Sequence, residues 1–574
     1  MRTLDWIVLG LTLLSIVFYG IYKGRGSRNI KGFLLADRQM RWYTVAFSIM
    51  ATQASAITFT STPGQAYTDG MRFVQYYFGL PIAMVILCVT AVPIFHKLGV
   101  FTAYEYLEHR FDVKTRTLTS AIFLVSRGLG AGMTIYAPSV ILSVMLGWDI
   151  RLTSTLIGGI VIIYTTSGGV KAVNWTDFQQ LLIIMFGMCV AFVMTIALLP
   201  KGIGFVDALH VAGGMGKLNL VDFSFDLSNK YNFWSGIIGG LFVALAYFGT
   251  DQSQVQRYLT GQSITQSRLG LIFNGMAKVP MQFFILLLGA MVFVFYQFEQ
   301  PPLFFNPVES ANVKESSAGK VYSLLEQQHA VVFREKELRL RTYLEARKSG
   351  SPGQVEQAQA SLVESQSRVD QVHAEAARIV RETRGSAAGN DTNYIFLSFV
   401  MKYLPAGLVG LVLACIFAAT MSSSSSELSA LATCSIVDVY KRHVKTDGDE
   451  THYLNISRIM MAGWGVYGIV FAQFAGGLGS LVEAVNIMGS LFYGTMLGIF
   501  LLAFYFKRMG GTATFWGGVV SQVTVLGLFA LEYILKMFSL SWLWYPVVGC
   551  GVVFAVALLV DGISNLRAGR SIPA

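Results

Sequence analysis

The chain has 574 residues, of which 54% are hydrophobic and 13% charged, and its formal net charge is +10. Soluble domains carry roughly a quarter charged residues, so this composition excludes a water-soluble globular protein and predicts an all-α polytopic membrane protein. The positive charge does not indicate nucleic-acid binding, because the Lys and Arg residues lie mainly in short loops between apolar segments.

Apolar runs long enough to cross about 30 Å of hydrocarbon recur along the chain. We count 13 such spans, near residues 5–22, 43–66, 73–95, 118–147, 153–170, 176–199, 234–256, 269–297, 404–440, 453–475, 478–506, 512–535 and 541–560. With 13 spans, the basic loops, including residues 23–41 and 97–117, fall on one side of the membrane. The positive-inside rule therefore predicts an outside N-terminus and an inside C-terminus. We expect the membrane to be the cytoplasmic (inner) membrane of a bacterium.

One polar, helix-forming segment, residues 300–390, separates the transmembrane parts 1–299 and 391–574. A strong turn signal at residues 349–353 (SGSPG) divides it into two arms, Val321 to Lys348 and Val355 to Arg384. These features predict an antiparallel helical hairpin that projects about 45 Å on the extracytoplasmic side. Two interpretations remain open: a solvated insertion with no role of its own, and an arm that binds a protein partner or a second copy.

Two clusters of small and hydroxyl residues lie at mid-membrane, where a polar group costs several kcal/mol unless it has a partner. Residues 51–58 (ATQASAIT) predict a broken helix whose freed carbonyl oxygens can bind a cation. A seam of small residues between packed helices is the alternative. Residues 420–427 (TMSSSSSE) point hydroxyls around a whole helix. Hydroxyl and carbonyl oxygens together supply the roughly five or six ligands that a hard cation such as sodium needs.

Ionisable side chains also lie within the predicted spans, and each indicates a functional site. They are Arg127, Asp177, Asp251 and Lys278. For Asp177, near the cytoplasmic edge, a helix N-cap is the alternative to a role in ion binding. Lys278 lies well inside its helix and needs a partner, for which Asp251 and Glu427 are the candidates.

Four separated motifs resemble the sodium:solute symporter family, which includes the sodium/glucose, iodide and monocarboxylate cotransporters. They are residues 42–64 (WYTVAFSIMATQASAITFTSTPG), 168–177 (GGVKAVNWTD), 250–258 (TDQSQVQRY) and 422–440, the serine run that ends in Asp-Val-Tyr. The likeness covers nearly the whole chain outside residues 300–390. It implies a LeuT-type core of five plus five helices in inverted repeat, here residues 43–199 and 234–506, with one helix before it and two after it.

The same resemblance implies a set of site residues. The main sodium site would be formed by the carbonyls of Ala51, Ala54 and Ala419 and the hydroxyls of Ser422 and Ser423. A second sodium site, found in some members, would fall on Asp177, Ser425 and Ser426. Tyr247 occupies the place of the aromatic residue that closes the substrate cavity on the inner side in sugar-carrying members.

The nature of the solute is indicated by a few positions. Lys278 matches a lysine that touches sugar in the bacterial sugar transporter, but Thr58 and Tyr77 stand where that protein has a glutamine and a glutamate. Residues 135–139 (IYAPS) are more similar to the iodide and monocarboxylate branch, and the intramembrane Lys278 and Arg127 suit a carboxylate. The substrate or gate candidates are Thr58, Tyr77, Tyr247, Asp251 and Lys278.

We therefore expect a secondary symporter that couples sodium entry to uptake of a small organic solute, a carboxylate or similar anion, by alternating access. A sodium/sugar symporter and a transporter-like sensor that signals through the hairpin are the alternatives. An enzyme is not expected, because the seven histidines are scattered without ligand or triad spacing. Sodium is the only metal ion that the pattern implies.

Overall fold

The computed structural model describes residues 1–24, 29–385, 388–475 and 481–567. Part of the basic loop 23–41 and the first residues of the predicted span 478–506 lie outside these ranges. Within them the chain is helical or irregular, apart from one isolated β-bridge between Met40 and Gly261. The helices of the first part are α1 (Thr3–Gly24), α2 (Ile30–Leu35), α3 (Trp42–Gln53), α4 (Ala56–Asp69), α5 (Leu80–Val89), α6 (Ala91–Leu98), α7 (Ala103–Arg110), α8 (Val113–Leu146), α9 (Ile150–Ala197) and α10 (Phe205–Gly214).

The second part continues the membrane domain and contains the insertion. Its helices are α11 (Gly240–Gly249), α12 (Gln252–Leu259), α13 (Ile264–Phe298), α14 (Pro307–Lys314), α15 (Gly319–Ser349), α16 (Pro352–Arg384), α17 (Ile395–Tyr403), α18 (Leu408–Cys434), α19 (Glu450–Phe474), α20 (Leu481–Tyr505), α21 (Gly511–Phe529) and α22 (Tyr545–Arg567). Short 3-10 and π-helical turns join several of them.

Ten helices in the described parts of the chain are long and apolar enough to cross a membrane. This number is lower than the predicted 13 partly because α9 is 48 residues long and contains two predicted spans, 153–170 and 176–199. The backbone of α9 leaves the helical conformation at Gly169 (φ 58°, ψ −169°), which a glycine adopts without the steric penalty of a side chain. The number 13 itself stays a prediction.

The helix that carries the serine run, α18, lies at the centre of the domain. All of its residues from Val412 to Cys434 are buried. It packs against α8, α9 and α1. Helix α13 lies along α3 and α4 at very short distance: a Cβ added at Gly289 would lie 2.2 Å from Pro63 O. Absence of a side chain at Gly289 therefore lets the two backbones meet and holds the broken pair α3–α4 against α13.

The insertion contains two long helices, α15 and α16, that pack against each other along their length. The predicted 45 Å projection is wrong, because the pair lies across one end of the membrane domain. Near its root, the ring of Phe305 packs edge-on against the ring of Tyr67 of α4, with 5.7 Å between the ring centroids. Near its tip, Tyr343 OH donates to His210 O at 3.2 Å and Gln359 Nε2 donates to Gly214 O at 2.9 Å. Buried apolar side chains on the inner faces of both helices, such as Leu340 and Leu362, favour this docked position over a solvated one.

Candidate functional site

The break between α3 and α4 lies inside the membrane domain. Ala54 (φ −87°, ψ 63°) and Ser55 (φ −73°, ψ 167°) leave the helical conformation directly after Gln53. The interruption predicted within residues 51–58 is therefore present. Ala54 N donates to Ala51 O at 3.0 Å, and because a carbonyl oxygen has two lone pairs, it keeps one with which to bind a cation.

The serine run of α18 packs directly on this break. Ser423 Oγ donates to Thr52 O at 2.9 Å, and Thr52 Oγ1 is 2.9 Å from Ser426 Oγ. All five serines, Ser422 to Ser426, are buried. Ala419, also fully buried, is one helical turn before Ser423 and shares its face. Hydroxyl and carbonyl oxygens from two helices thus lie side by side.

Asp177 is fully buried and accepts two hydroxyl hydrogen bonds. Its Oδ2 accepts from Ser48 Oγ and its Oδ1 from Ser422 Oγ, both at 2.6 Å. The N-cap alternative is wrong, because Asp177 lies eight residues beyond the break at Gly169, inside the second half of α9. Ser425 Oγ donates to Ser422 O at 3.0 Å. Ser422 therefore links the residues assigned to the two predicted sodium sites.

A buried polar network that sequence reasoning missed extends from Asp177. Ser48 Oγ also lies 3.0 Å from Asn174 Oδ1, and Arg257 Nη1 donates to the same oxygen at 2.9 Å. Arg257 is completely buried. Asn174 and Arg257 belong to two of the four motifs, 168–177 and 250–258. The sequence did place Arg257 inside a motif flanked by apolar spans. The spacing of the residues gave no indication that Asn174 is its partner.

A cavity of about 150 Å³ lies beside the break. It is bounded by residues of α4, α8, α11, α13, α18 and α20. Four of the five predicted substrate or gate residues line it, namely Thr58, Tyr77, Tyr247 and Lys278. The wall also contains Ser423 of the serine run. One candidate sodium ligand, Ser423, therefore shares a cavity with four of the solute candidates.

Arg127 of α8 enters this cavity and is bound by three groups. Its Nη1 donates to Glu427 Oε1 at 2.9 Å, and its Nη2 donates to Asp251 Oδ2 and, at 3.0 Å, to Tyr493 OH. Asp251 also caps α12 by accepting from Ser253 N at 2.9 Å. The predicted pairing of Lys278 with Asp251 or Glu427 is wrong, because the fork of N–H donors on Arg127 takes both carboxylates.

Lys278 is the second cation of the cavity, and its surroundings differ from those of Arg127. The side chain is 1% exposed, and within the described parts of the chain its Nζ has no hydrogen-bond partner. The ring of Tyr77 has its centroid 5.7 Å from Nζ. A buried ammonium group without a partner is costly, so this position is suited to an anionic or hydrogen-bond-accepting ligand.

The chain also matches the sequence profile of a known protein family. The sequence profile of the sodium:solute symporter family matches residues 33–328 and 374–521. The chain belongs to this family. It is a sodium-coupled transporter that lies in a lipid bilayer, and the members it matches are symporters and not enzymes.

Individual relatives differ in what they are named for. The chain is 25% identical to a sodium-dependent multivitamin transporter of Oryctolagus cuniculus, over 99% of this chain and 83% of that protein. It is 36% identical to sodium-coupled monocarboxylate transporter 1 of Homo sapiens, over 47% of this chain and 44% of that protein. It is 32% identical to the sodium/iodide cotransporter of Homo sapiens, over 51% and 45%. The alignments thus span under half of the length of both human relatives.

A solved structure shares the fold. A sodium-coupled sialic acid symporter in a substrate-bound, outward-open state superposes with a TM-score of 0.74, over 98% of both chains, at 23% identity. The LeuT-type architecture implied by the motifs is therefore confirmed.

Proposed function

We propose that the protein couples inward sodium movement to the uptake of a small organic anion that carries a carboxylate. The observation that carries this proposal is the partnerless Nζ of Lys278 in the wall of the cavity. A carboxylate placed there forms a charge-assisted hydrogen bond, worth about 1.5–3 kcal/mol. A neutral solute would leave the ammonium without a counter-charge.

The way in which the charges of the cavity are paired supports an anion at Lys278. Arg127 and Lys278 are its cations, and Asp251 and Glu427 are the carboxylates in contact with Arg127. Both carboxylates are committed to one arginine, so the lysine is the group still available to a ligand. Relatives named for iodide and for monocarboxylates fit the same charge requirement.

The proposed main sodium site consists of the carbonyls of Ala51, Ala54 and Ala419 and the hydroxyls of Ser422 and Ser423. The contact of Ser423 with Thr52 O supports it, because it brings the serine run to the helix break. A second ion would use Asp177, Ser425 and Ser426. Its support is that Asp177 already accepts from Ser422, so that a cation between the two sites would meet a full negative charge.

The proposed mechanism is alternating access. Sodium ties α18 to the break between α3 and α4 and so completes the solute site, and by reciprocity the bound solute strengthens sodium binding. Tyr247 stands at the cavity wall, where its hydroxyl accepts from Gln254 Nε2 at 2.8 Å, and we assign it the role of inner gate. Each sodium ion supplies about 2.3 kcal/mol per 100 mV of membrane potential.

We assign the protein to the cytoplasmic membrane of a bacterium, with its N-terminus outside and its C-terminus inside. The support for this orientation is the bias of Lys and Arg toward one set of loops. This orientation puts the docked pair α15–α16 on the extracytoplasmic side.

Uptake into proteoliposomes tests the proposal. Propionate and propionamide have similar shape and differ in charge, so a sodium gradient should drive uptake of carboxylates of this size and not of the matching amides. A panel of monocarboxylates, sugars and amino acids in competition with the best carboxylate then identifies the preferred solute. Lys278→Met should lower carboxylate uptake at low solute concentration by about 10- to 150-fold, whereas Lys97→Met, at an exposed lysine, should not. Sodium-driven uptake of a sugar that is unaffected by Lys278→Met would contradict the proposal.

A further inference from the structure

The outer face of α15 carries apolar side chains that the docked insertion leaves uncovered. Leu324, Val331 and Leu338 are 63%, 57% and 67% exposed. They follow one another at intervals of seven residues, so they form one stripe that shifts by only about 20° per step around the helix. The opposite face of α15 is buried by α16 and the membrane domain, with Tyr322, Leu340 and Tyr343 at 0–2% exposure. The stripe is therefore additional to the surface that docks the insertion.

Polar side chains alternate with the apolar ones along this stripe. Gln327 and Glu335 lie four residues on either side of Val331, and Leu324 and Leu338 lie seven residues on either side. Lys320 stands at one end of the stripe and Glu345 at the other, and all of these side chains are exposed. We name this surface, residues 320–345 on the outer face of α15, the outer seam.

We propose that two copies of the chain associate through their outer seams, with the two α15 helices antiparallel and a two-fold axis through Val331. In this register Leu324 packs on Leu338 of the second copy and Val331 packs on its own equivalent. Gln327 lies opposite Glu335 of the second copy.

The charges at the ends of the seam distinguish this register from a parallel one. In the antiparallel register Lys320 and Glu345 of the second copy differ by three residues in height, about 4.5 Å, which two long side chains span. A parallel pair would place each of these charges opposite an identical one, which is repulsive.

The membrane imposes the same symmetry. Both copies must have the same orientation in the bilayer, so a closed dimer needs its two-fold axis along the membrane normal. Because the insertion contacts the membrane domain near its root at Tyr67 and near its tip at His210, α15 lies across the end of the domain, and such an axis makes the two α15 helices antiparallel.

Cysteine cross-linking of the full-length protein in liposomes tests the register. The Cβ atoms of Val331 meet at the two-fold axis, within disulfide distance, so Val331→Cys should form roughly tenfold more oxidised dimer than Val363→Cys. Val363 is the matched control, since it is 46% exposed but lies on α16. Leu324→Cys should cross-link to Leu338→Cys in a mixture of the two variants and not to itself.

Charge exchange gives a test that does not depend on cysteine chemistry. Lys320→Glu and Glu345→Lys should each weaken the dimer measured by light scattering in nanodiscs, and the double variant should restore it. Equal cross-linking of Val331→Cys and Val363→Cys would overturn the proposal, as would Leu324→Cys dimers as abundant as those of Val331→Cys. So would quenching of a fluorophore on Val331→Cys by lipid-bound quenchers, which would show that the seam lies on the bilayer.

Discussion

The two cations of the central cavity, Arg127 and Lys278, differ in whether the protein itself supplies a partner for the charge. Arg127 contacts two carboxylates and a tyrosine hydroxyl, all on other helices, so its charge is neutralised within the protein. Lys278 is equally buried but has no hydrogen-bond partner among the described residues. A buried charge that the fold satisfies holds helices together, whereas one that the fold leaves unsatisfied is available to a ligand. This difference predicts opposite responses to mutation.

The largest expected effect is on stability, at Arg127. Arg127→Met leaves Asp251 and Glu427 buried without a counter-charge, and breaking a buried pair in this way costs about 3–5 kcal/mol. Thermal unfolding in detergent should therefore shift strongly downward. The triple variant Arg127→Met, Asp251→Asn, Glu427→Gln should recover most of the loss. An unchanged melting temperature in Arg127→Met would show that the arginine does not hold α8, α12 and α18 together.

Lys278→Met should have the reverse profile. Removal of a partnerless ammonium leaves the melting temperature unchanged or higher, while loss of a charge-assisted hydrogen bond of about 1.5–3 kcal/mol lowers the uptake rate at low carboxylate concentration by about 10- to 150-fold. Initial rates across a solute concentration series measure this. Wild-type rates in the variant would remove Lys278 from the solute site.

Asp177 tests whether a carboxylate that contacts only hydroxyl groups binds a cation. If it binds a second sodium ion, two sodium ions enter with each carboxylate solute, and the transported charge is positive. An inside-negative potential then accelerates uptake, and sodium activation is sigmoidal. Asp177→Asn should make the activation curve hyperbolic and abolish the effect of the potential. A hyperbolic curve in both proteins would leave the site at the helix break as the only coupling site.

A smaller effect is expected at Ser423. Ser423→Ala removes one of several oxygen ligands, so the sodium concentration for half-maximal uptake should rise about three- to tenfold, which corresponds to roughly 0.7–1.4 kcal/mol. Ser424→Ala is the control, because Ser424 is the next serine of the run and does not line the cavity. Equal shifts in both variants would contradict the assignment of Ser423 as a ligand.

The smallest effect concerns a paired group outside the membrane. His373 Nε2 lies 3.1 Å from Asp391 Oδ2. Burial lowers the pKa of His373, but the Asp391 carboxylate outweighs this and the pKa lies above its ordinary value of 6.5. The pair therefore stabilises the docked insertion fully below pH 6.5, and this contribution disappears as the pH rises through the raised pKa.

Hydrogen exchange at the root of the insertion checks this pH dependence. His373→Asn should increase exchange near Asp391 at pH 5.5 and have little effect at pH 8.5. A difference between variant and wild type that does not change with pH would show that the imidazolium contributes nothing to docking.

The membrane class, the two clusters of hydroxyl residues and the helical insertion could be predicted from local patterns. Apolar length, small residues and turn signals act over a few residues, so they are visible in one dimension. The pairing of charges could not be predicted. Lys278 seemed to need Asp251 or Glu427, but these lie far from both cations in the chain, and only packing decides which cation they contact.

The insertion is a second feature that could be predicted from the sequence only in part. Its two helices follow from helical periodicity and the turn at residues 349–353, but its direction does not. Docking depends on hydrogen bonds to backbone carbonyls of α10, at His210 and Gly214. Every residue has a backbone carbonyl, so the side chains of α10 gave no indication of this contact in the sequence.

The sequence by itself therefore determined that this protein is a helical membrane protein, that its second span is broken, and that it resembles a sodium symporter. These properties depend on hydrophobicity, helix propensity and short motifs, which are local. Only the tertiary structure decided that Asp177 meets Ser422, that Arg127 takes both carboxylates and that Lys278 is left for a ligand. These outcomes depend on which buried groups come within about 3 Å of each other, because inside a membrane protein a charge is stabilised only by its direct contacts.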